Sequence, residues 1–324
     1  MSKSPNILAA AALCLVLTSV TTARAGSTLE KSTVAYREVN GHKILVDVYR
    51  PPGDKVCPVI IWLHGGALIM GHRESVHHEL MKLAEEKGYA VVSFDYRLAP
   101  ESKLPELISD LEAGYQWLVH DGVKQFHLDP YRIVVAGGSA GGYLSLTTGY
   151  RFEPKPKGIV ALYGYGSLNS DWYAEPSPHP CHNGSKFTRQ DAEEQTDGTV
   201  ISDDRERKGD GVEIYLYYRQ QGIWPEEVSG FDPATLAEDL MPYEPIRNVI
   251  ADYPPTLLIH GTVDTDVPFE ESQNFAAALE RHGVHHTLIA IENGEHGLNG
   301  GDPEKIEAAH QAMRQFVIDR FNGK

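Results

Sequence analysis

The sequence predicts an α/β fold in which a mostly parallel central sheet carries helices on both faces. Two observations support this prediction: short apolar runs alternate with segments of helical periodicity, and the alternation stops at about residue 166 and resumes after residue 250. Strands that alternate with helices form parallel sheets because each crossover helix returns the chain to the starting edge. The 324 residues, of which 41% are apolar and 23% charged, suffice for a large buried core.

The first 25 residues differ from the remainder of the chain. Lys3 precedes an uncharged stretch that holds the apolar run "ILAAAALCLVL" and is followed by "ARA", which ends at Ala25. This order is typical of a secretory signal peptide, here residues 1–25. A membrane anchor is the alternative, but the apolar run falls short of the roughly 20 residues that a transmembrane helix needs. We therefore expect an exported protein, periplasmic or extracellular, with no membrane association after cleavage.

The predicted fold opens with a hairpin. The runs "TVAYREV" and "KILVDVYRP" flank "NGHK", and Asn40-Gly41 is a strong signal for a tight turn between two strands. The next run, "CPVIIWLHGG", is continuously apolar, as expected of a strand that is buried on both faces. A helix over about residues 75–87 and a second buried strand, "YAVVSFDYR", follow.

The alternation then continues through three more elements. Apolar residues at helical spacing in "LPELISDLEAGYQWLVHD" predict a helix, with Leu107, Leu111, Tyr115 and Leu118 on its inner face. The run "RIVVAGG" predicts a strand and "AGGYLSLTTGY" the helix after it. A further strand, "GIVALYG", completes the first part of the sheet.

The interruption over residues 166–250 is rich in proline, glycine, charge and aromatic residues. An insertion into an α/β sheet usually lies over the carboxyl ends of the strands, where ligands bind. After it come the strand "PPTLLIHG", the helix "ESQNFAAALERHG", the strand "HHTLIAIE" and the final helix "PEKIEAAHQAMRQFVIDRF". We therefore divide the chain into a core of residues 26–165 and 251–324 and a cap of residues 166–250.

Ser139 is the candidate nucleophile. It stands in "GGSAG", between a predicted buried strand and a predicted helix, and this G-x-S-x-G context produces a strained turn that exposes the hydroxyl. The helix N-terminus adds positive potential where negative charge develops during acyl transfer. A phosphate-binding glycine loop is the alternative, but the Lys-Ser/Thr ending of such loops is absent.

A serine hydroxyl needs a base, and the order serine, acid, histidine places the partners later in the chain. Asp264 and His296 each follow a predicted strand, so both lie at the same sheet edge as Ser139. Asp266 is the alternative acid; Asp264 is preferred because it is nearer the strand end. The oxyanion donors are expected to be the backbone N–H groups of Ala140 and of Gly66 and Ala67, with Gly65 as a further possibility.

These motifs resemble the α/β-hydrolases, close to hormone-sensitive-lipase-like enzymes and to bacterial acetyl and feruloyl esterases. The resemblance rests on "WLHGGALIMG", "DYRLAPE", "VAGGSAGGYLSL", "PPTLLIHGTVDTDVPFEES" and "ENGEHGL". It implies an α/β-hydrolase fold with no metal and no cofactor. It also implies a structural role for Tyr96-Arg97 with Glu101 beside the oxyanion turn. The sequence departs from the family in having Ala67 at the third glycine of that turn, and the resemblance does not extend over the cap.

The leading hypothesis is a serine carboxylesterase that acts through an acyl-enzyme on short acyl esters, with acetyl or feruloyl esters of polysaccharides as examples. Trp172 and Trp224 are candidate substrate-binding residues, although both are equally suited to holding the cap together. A prolyl-peptidase-like hydrolase and a non-catalytic binding module are the alternatives. The net charge of −16 argues against nucleic acid as a partner. A disulfide between Cys57 and Cys181 stays open.

Overall fold

The computed structural model describes residues 28–324, so the signal-peptide prediction for residues 1–25 lies outside the described residues. Within residues 28–324 the chain forms one sheet of eight strands. The strands are β1 (Glu30–Val39), β2 (His42–Arg50), β3 (Cys57–Leu63), β4 (Ala90–Phe94), β5 (Leu128–Gly138), β6 (Gly158–Leu162), β7 (Thr256–Gly261) and β8 (His286–Ile291).

The sheet is mostly parallel, which confirms the predicted fold class. Its strand order is β1-β2-β4-β3-β5-β6-β7-β8. From β4 onward in this order, every pair of neighbouring strands is parallel. By contrast, β2 pairs antiparallel with both β1 and β4. The predicted hairpin is present between β1 and β2, and its turn residues Asn40 and Gly41 have φ values of 51° and 85°.

Helices cover both faces of the sheet because the inner strands are apolar on both sides. In β3, Ile61 and Leu63 pack into one core, whereas Ile60 and Trp62 pack into the other. Helices α2 (Leu104–Trp117) and α4 (Ala140–Arg151), with α11 (Phe269–Arg281), cover the first face. Helices α1 (His78–Lys87) and α12 (Pro303–Phe321) cover the second face. A short helix, α3 (Val123–Gln125), precedes β5.

The chain between β6 and β7 forms short helices rather than strands. They are α5 (Asp171–Ala174), α6 (Pro180–Asn183), α7 (Arg189–Glu194), α8 (Val212–Gln221), α9 (Trp224–Ser229) and α10 (Ala237–Leu240). Their apolar side chains join the core of the first face, including Tyr173, Ile214 and Trp224. The cap therefore packs against the sheet domain through an apolar interface.

A buried ion pair also holds the cap to the loops after β3 and β4. Arg207 pairs with Glu101 at 2.7 Å, with both side chains almost completely buried. The same guanidinium donates to the carbonyl oxygens of Ile69 and Ala99. Glu101 thus has the structural position that the family resemblance implies, beside the glycine-rich loop after β3.

Two further properties concern the cysteines and the membrane. Cys57 is buried at the start of β3, Cys181 is exposed in α6, and both thiols are free. In the part of the chain that the structure describes, no helix combines the length and apolar character needed to cross a membrane.

Candidate active site

Ser139 lies in a sharp turn between β5 and α4. Its φ of 56° and ψ of −124° are unusual for a residue other than glycine. Its N–H donates to the carbonyl oxygen of Leu162 at 2.9 Å, which fixes the turn against the end of β6. A Cβ at Gly141 would collide with the carbonyl oxygen of Leu63, so a glycine is required there for α4 to begin this close to β3.

His296 and Asp264 meet Ser139 at the carboxyl edge of the sheet. Nε2 of His296 lies 3.0 Å from Oγ of Ser139, and Nδ1 of the same ring lies 2.8 Å from Oδ2 of Asp264. The other carboxylate oxygen of Asp264 accepts the backbone N–H groups of Asp266 and Val267 at 2.9 and 2.8 Å. These contacts orient the imidazole and leave its Nε2 free to accept the seryl proton.

The surroundings of Asp264 and His296 shift the pKa values of these two side chains in opposite directions. Burial raises the pKa of Asp264, but hydrogen bonds with His260 and His296 outweigh it, and the net pKa is well below its ordinary value. Burial lowers the pKa of His296, but the hydrogen bond with Asp264 and the negative charge of Asp266 outweigh it, and the net pKa is raised. An ionised acid beside a more basic imidazole is the arrangement that general-base catalysis requires.

His260 is a second contact of Asp264 that the sequence patterns did not indicate. It is fully buried in β7, and its Nε2 lies 3.3 Å from Oδ2 of Asp264. Its Nδ1 faces the hydroxyl of Ser272 at 2.7 Å, and its Nε2 also lies 2.9 Å from the carbonyl oxygen of Val267. The run "LLIHG" reads as an ordinary buried strand, so no local signal separates this histidine from a core residue.

Asp266, the alternative acid, contacts the opposite side of the imidazole. Its Oδ2 lies 3.6 Å from Nε2 of His296, beyond hydrogen-bond distance. Its Oδ1 accepts hydrogen bonds from Nε2 of His182, at 2.8 Å, and from the hydroxyl of Tyr215. Both donors belong to the cap. The structure therefore places Asp264 at Nδ1 and Asp266 beside the reacting atoms, where two cap residues hold it.

The glycine-rich loop after β3 lies against the turn that carries Ser139. A Cβ at Gly65 would be 3.3 Å from Cβ of Ser139, which shows how closely the two turns approach. Gly66 has a φ of 108° and Ala67 a φ of 55°, so the alanine adopts the left-handed backbone that a third glycine would adopt. Ala140 is the first residue of α4, and its N–H has no acceptor within the helix.

Side chains from two directions hold this loop in place. The hydroxyl of Tyr96 donates to the carbonyl oxygen of His64 at 2.8 Å, and the two rings stack with centroids 4.2 Å apart. From the cap, Nε1 of Trp224 donates to the carbonyl oxygen of Ala67 at 3.1 Å. Trp224 is 1% exposed and stacks on Tyr173. The suggestion that Trp224 stacks on substrate is therefore corrected, because its indole is enclosed in the core and contacts the loop instead.

Trp172 occupies a different position, on the wall of a cavity of about 220 Å³. The indole is partly buried, its Nε1 donates to Glu271 at 3.1 Å, and its ring stacks on Tyr173. The cavity is also lined by Arg219 and Asp266. Trp172 thus remains a candidate for substrate contact, on the wall of the cavity that Asp266 also lines.

Among residues 28–324, no group of three or more His, Cys, Asp or Glu side chains is arranged to hold a metal ion. The side chains that converge here are a strained serine, an imidazole and a carboxylate. Such a set can transfer a proton from Ser139 to His296 and activate the hydroxyl for attack on a carbonyl carbon. The backbone N–H of Ala140, directly after Ser139, has no acceptor within the helix and is available to an oxygen that becomes negative.

A model of the family described as the alpha/beta hydrolase fold matches residues 60–299 of the chain. Among curated proteins, the chain is similar to the non-reducing polyketide synthase Preu6 of Preussia isomera, with 26% identity over 300 residues. That match covers 82% of this chain and 13% of the synthase. The chain therefore spans only a small part of the length of this relative.

Solved structures provide a second comparison. An esterase of Pyrobaculum calidifontis is 25% identical, with a TM-score of 0.61 over 91% of this chain and 85% of that one. An acetyl ester-xyloside bifunctional hydrolase of Caldicellulosiruptor lactoaceticus is 21% identical, with a TM-score of 0.64 over 89% of this chain and 96% of that one. At this level of identity the second likeness concerns the fold.

Proposed function

The chain belongs to the family with the alpha/beta hydrolase fold, and from this premise we propose that it is a serine carboxylesterase that acts through an acyl-enzyme. Ser139 attacks the ester carbonyl while His296 accepts its proton. His296 then gives that proton to the departing alcohol, and Asp264 stabilises the imidazolium through Nδ1. Water, activated by the same imidazole, hydrolyses the acyl-enzyme and restores Ser139.

One observation carries this proposal: Oγ, Nε2, Nδ1 and Oδ2 form a continuous relay with steps of 3.0 and 2.8 Å, starting at a serine with a φ of 56°. A merely structural serine rarely adopts such a backbone conformation next to an oriented imidazole. The likeness to the Pyrobaculum calidifontis esterase supports ester hydrolysis as the reaction. The N–H groups of Gly66, Ala67 and Ala140 are assigned to the oxyanion of the tetrahedral intermediate.

For the substrate we favour short acyl groups, with acetyl or feruloyl esters of polysaccharides as the leading examples. The cavity beside Trp172 is smaller than the pockets that hold drug-sized ligands, so it suits one small ring, such as a single sugar unit of the alcohol. An exported enzyme, as residues 1–25 suggest, meets such polymers in the periplasm or outside the cell. A profile of kcat/KM against acyl chain length tests this substrate class.

The catalytic assignment is tested with a fluorophosphonate probe and site mapping by mass spectrometry. We expect one adduct, on Ser139, and a loss of ester hydrolysis in Ser139→Ala by a factor of roughly 10⁴ or more. Ser177 provides a matched control because its hydroxyl also lies near a histidine, 2.7 Å from Nδ1 of His182. Ser177→Ala is expected to keep the labelling of Ser139. Labelling elsewhere, or full activity in Ser139→Ala, would reject the proposal.

Hydrolysis rates for two classes of substrate separate the two alternative functions. A prolyl-peptidase-like enzyme would hydrolyse aminoacyl-proline anilides faster than aryl acetates of similar leaving group. A binding module would turn over neither class of substrate.

A further inference from the structure

Asp266 has one carboxylate oxygen that the protein uses and one that it leaves open. Oδ1 accepts from His182 and Tyr215. For Oδ2, no donor among residues 28–324 lies within hydrogen-bond distance, and Nε2 of His296 is 3.6 Å away. The side chain is 23% exposed. A carboxylate that is firmly held yet incompletely bonded, beside the reacting atoms, is placed to accept a hydrogen bond from a bound molecule.

The position of Oδ2 indicates which part of an ester it meets. In the reaction proposed above, Nε2 of His296 returns the proton to the departing alcohol oxygen. A group 3.6 Å from Nε2 therefore lies beside that oxygen rather than at the far end of the acyl chain. A donor on the carbon adjacent to the one that bears the ester oxygen would be within reach of Oδ2.

The surrounding charges favour a hydroxyl over a cation as this donor. Arg219 lies 4.0 Å from Oδ1 of Asp266, so the carboxylate already has a positive neighbour. Arg219 lines the same cavity, with its guanidinium over the ring of Trp172. The cavity wall thus offers an open acceptor, Oδ2, beside a fixed positive charge. A neutral hydroxyl can donate to this acceptor, whereas an ammonium group would be repelled by the guanidinium.

Resting on the proposed esterase function, we propose that Asp266 is a specificity-determining residue that accepts a hydrogen bond from a hydroxyl vicinal to the scissile ester. The preferred substrates are then partial esters of polyols, such as a monoacylated sugar, rather than esters of simple alcohols. His182, Tyr215 and Arg219 are positioning residues, since the cap holds the carboxylate through them.

The test uses a matched pair of substrates and the mature enzyme. One substrate is a methyl pyranoside with a single acetyl group and a free vicinal hydroxyl, and the other has that hydroxyl methylated. We expect the wild-type kcat/KM to favour the free hydroxyl by about tenfold to hundredfold, the usual effect of a hydrogen bond to a charged group. A wild-type ratio near one would overturn the inference while the esterase function stands.

The variant Asp266→Asn inverts the hydrogen-bonding character at the open position. His182 and Tyr215 donate to the amide oxygen and fix its orientation, so the NH₂ group occupies the place of Oδ2. A donor then faces the substrate, and we expect the ratio to fall to about one. An unchanged ratio, or an equal loss of kcat on both substrates, would overturn the inference, since equal loss indicates a role in positioning water or the imidazole.

Asp252→Asn is the matched control because it makes the same change at an exposed carboxylate outside the site, where Asp252 pairs with Lys155. We expect it to retain the wild-type preference within about threefold, whereas a general effect of losing one negative charge would reduce the preference in both variants alike. An acetate of a quaternary amino alcohol forms the third arm. If the wild-type kcat/KM is higher for this cationic ester than for the sugar ester, charge attraction rather than a hydrogen bond to a hydroxyl determines the preference, and the inference is rejected.

If the wild type hydrolyses no ester, aryl acetates included, the proposed function fails and the inference with it.

Discussion

At the scale of single residues, Asp264 and Asp266 are two positions apart, yet their carboxylates face opposite nitrogens of His296. The loop after β7 achieves this because Asp264 accepts the N–H groups that follow it, which turns the chain sharply at Thr265. The strand-end position of Asp264 was sufficient to predict which carboxylate reaches Nδ1. The partners of Asp266 were not predictable, since His182 and Tyr215 lie in a segment whose fold no sequence pattern indicated.

The two carboxylates give a pH dependence with a definite sign. The pKa of His296 is raised above its ordinary value of 6.5, with Asp264, Asp266 and Glu295 as the negative groups around it. His296 acts as a base only when neutral, so kcat/KM is expected to fall as the pH decreases through a value above 6.5. In Asp266→Asn one negative charge is lost, the pKa of the imidazole decreases, and this acidic limb moves to lower pH.

Profiles of kcat/KM against pH for a neutral aryl acetate provide the measurement. Glu292→Gln serves as the control because it removes one negative charge from an exposed pair with Lys305. Its acidic limb is expected to coincide with that of the wild type. A limb that moves upward in Asp266→Asn would contradict the assigned electrostatics.

Gly66 provides a second test at the residue scale. Its φ of 108° and the collision of any Cβ with the carbonyl oxygen of Met70 mean that alanine cannot enter without moving the loop. Since loss of one oxyanion donor costs about 10²–10³ in kcat, we expect a decrease of that order in Gly66→Ala. Gly88 also has a positive φ, 71°, but has open space around its Cα. Gly88→Ala should lower the melting temperature slightly and leave kcat unchanged. Equal kcat values for the two variants would contradict this account.

At the scale of elements, the strands and their crossover helices were predictable because each is an apolar run of the right length. In β3 every residue from Cys57 to Leu63 is buried, so the run contains no polar interruption. The cap could not be predicted in the same way. Its helices are as short as four residues, as in α5 (Asp171–Ala174), and such segments show too few turns for a periodicity to be detected.

The cap and the sheet are also joined through Arg73, which follows the glycine-rich loop. Its guanidinium contacts Asp47 of β2, Asp95 after β4 and Asp203 of the cap at 3.0, 2.6 and 3.7 Å. Burial raises the pKa of Asp95 to about 7 even though the charge of Arg73 opposes this. Without the arginine, three buried carboxylates would face one another.

We therefore expect Arg73→Gln to lower the free energy of unfolding by about 3–5 kcal/mol, the usual effect of breaking a buried ion pair. Urea unfolding followed by tryptophan fluorescence provides the measurement. Arg205→Gln is the control, since Arg205 is half-exposed in its pairs with Asp203 and Glu74. It should cost less than about 1 kcal/mol. Similar losses in both variants would show that burial does not determine the strength of these pairs.

At the scale of the whole molecule, the net charge of −16 acts on every ligand that approaches. An anionic ester is repelled, and salt reduces that repulsion as the screening length falls from about 30 Å at 0.01 M to about 8 Å at 0.15 M. We expect kcat/KM for an aryl hemisuccinate to rise several-fold over this range of NaCl. The uncharged aryl butyrate should change little. A parallel response of both esters would exclude electrostatic repulsion as the cause.

Two different parts of the fold hold the residues of the site in place. Ser139, Asp264 and His296 are fixed by strand ends, whereas the grip on Asp266 comes from His182, Tyr215 and the neighbouring Arg219 in the cap. Transplanting the segment 166–250 from another member of the family would keep Ser139, His296 and Asp264 and would replace the cap residues that contact Asp266. Selectivity toward the alcohol should then follow the transplanted segment.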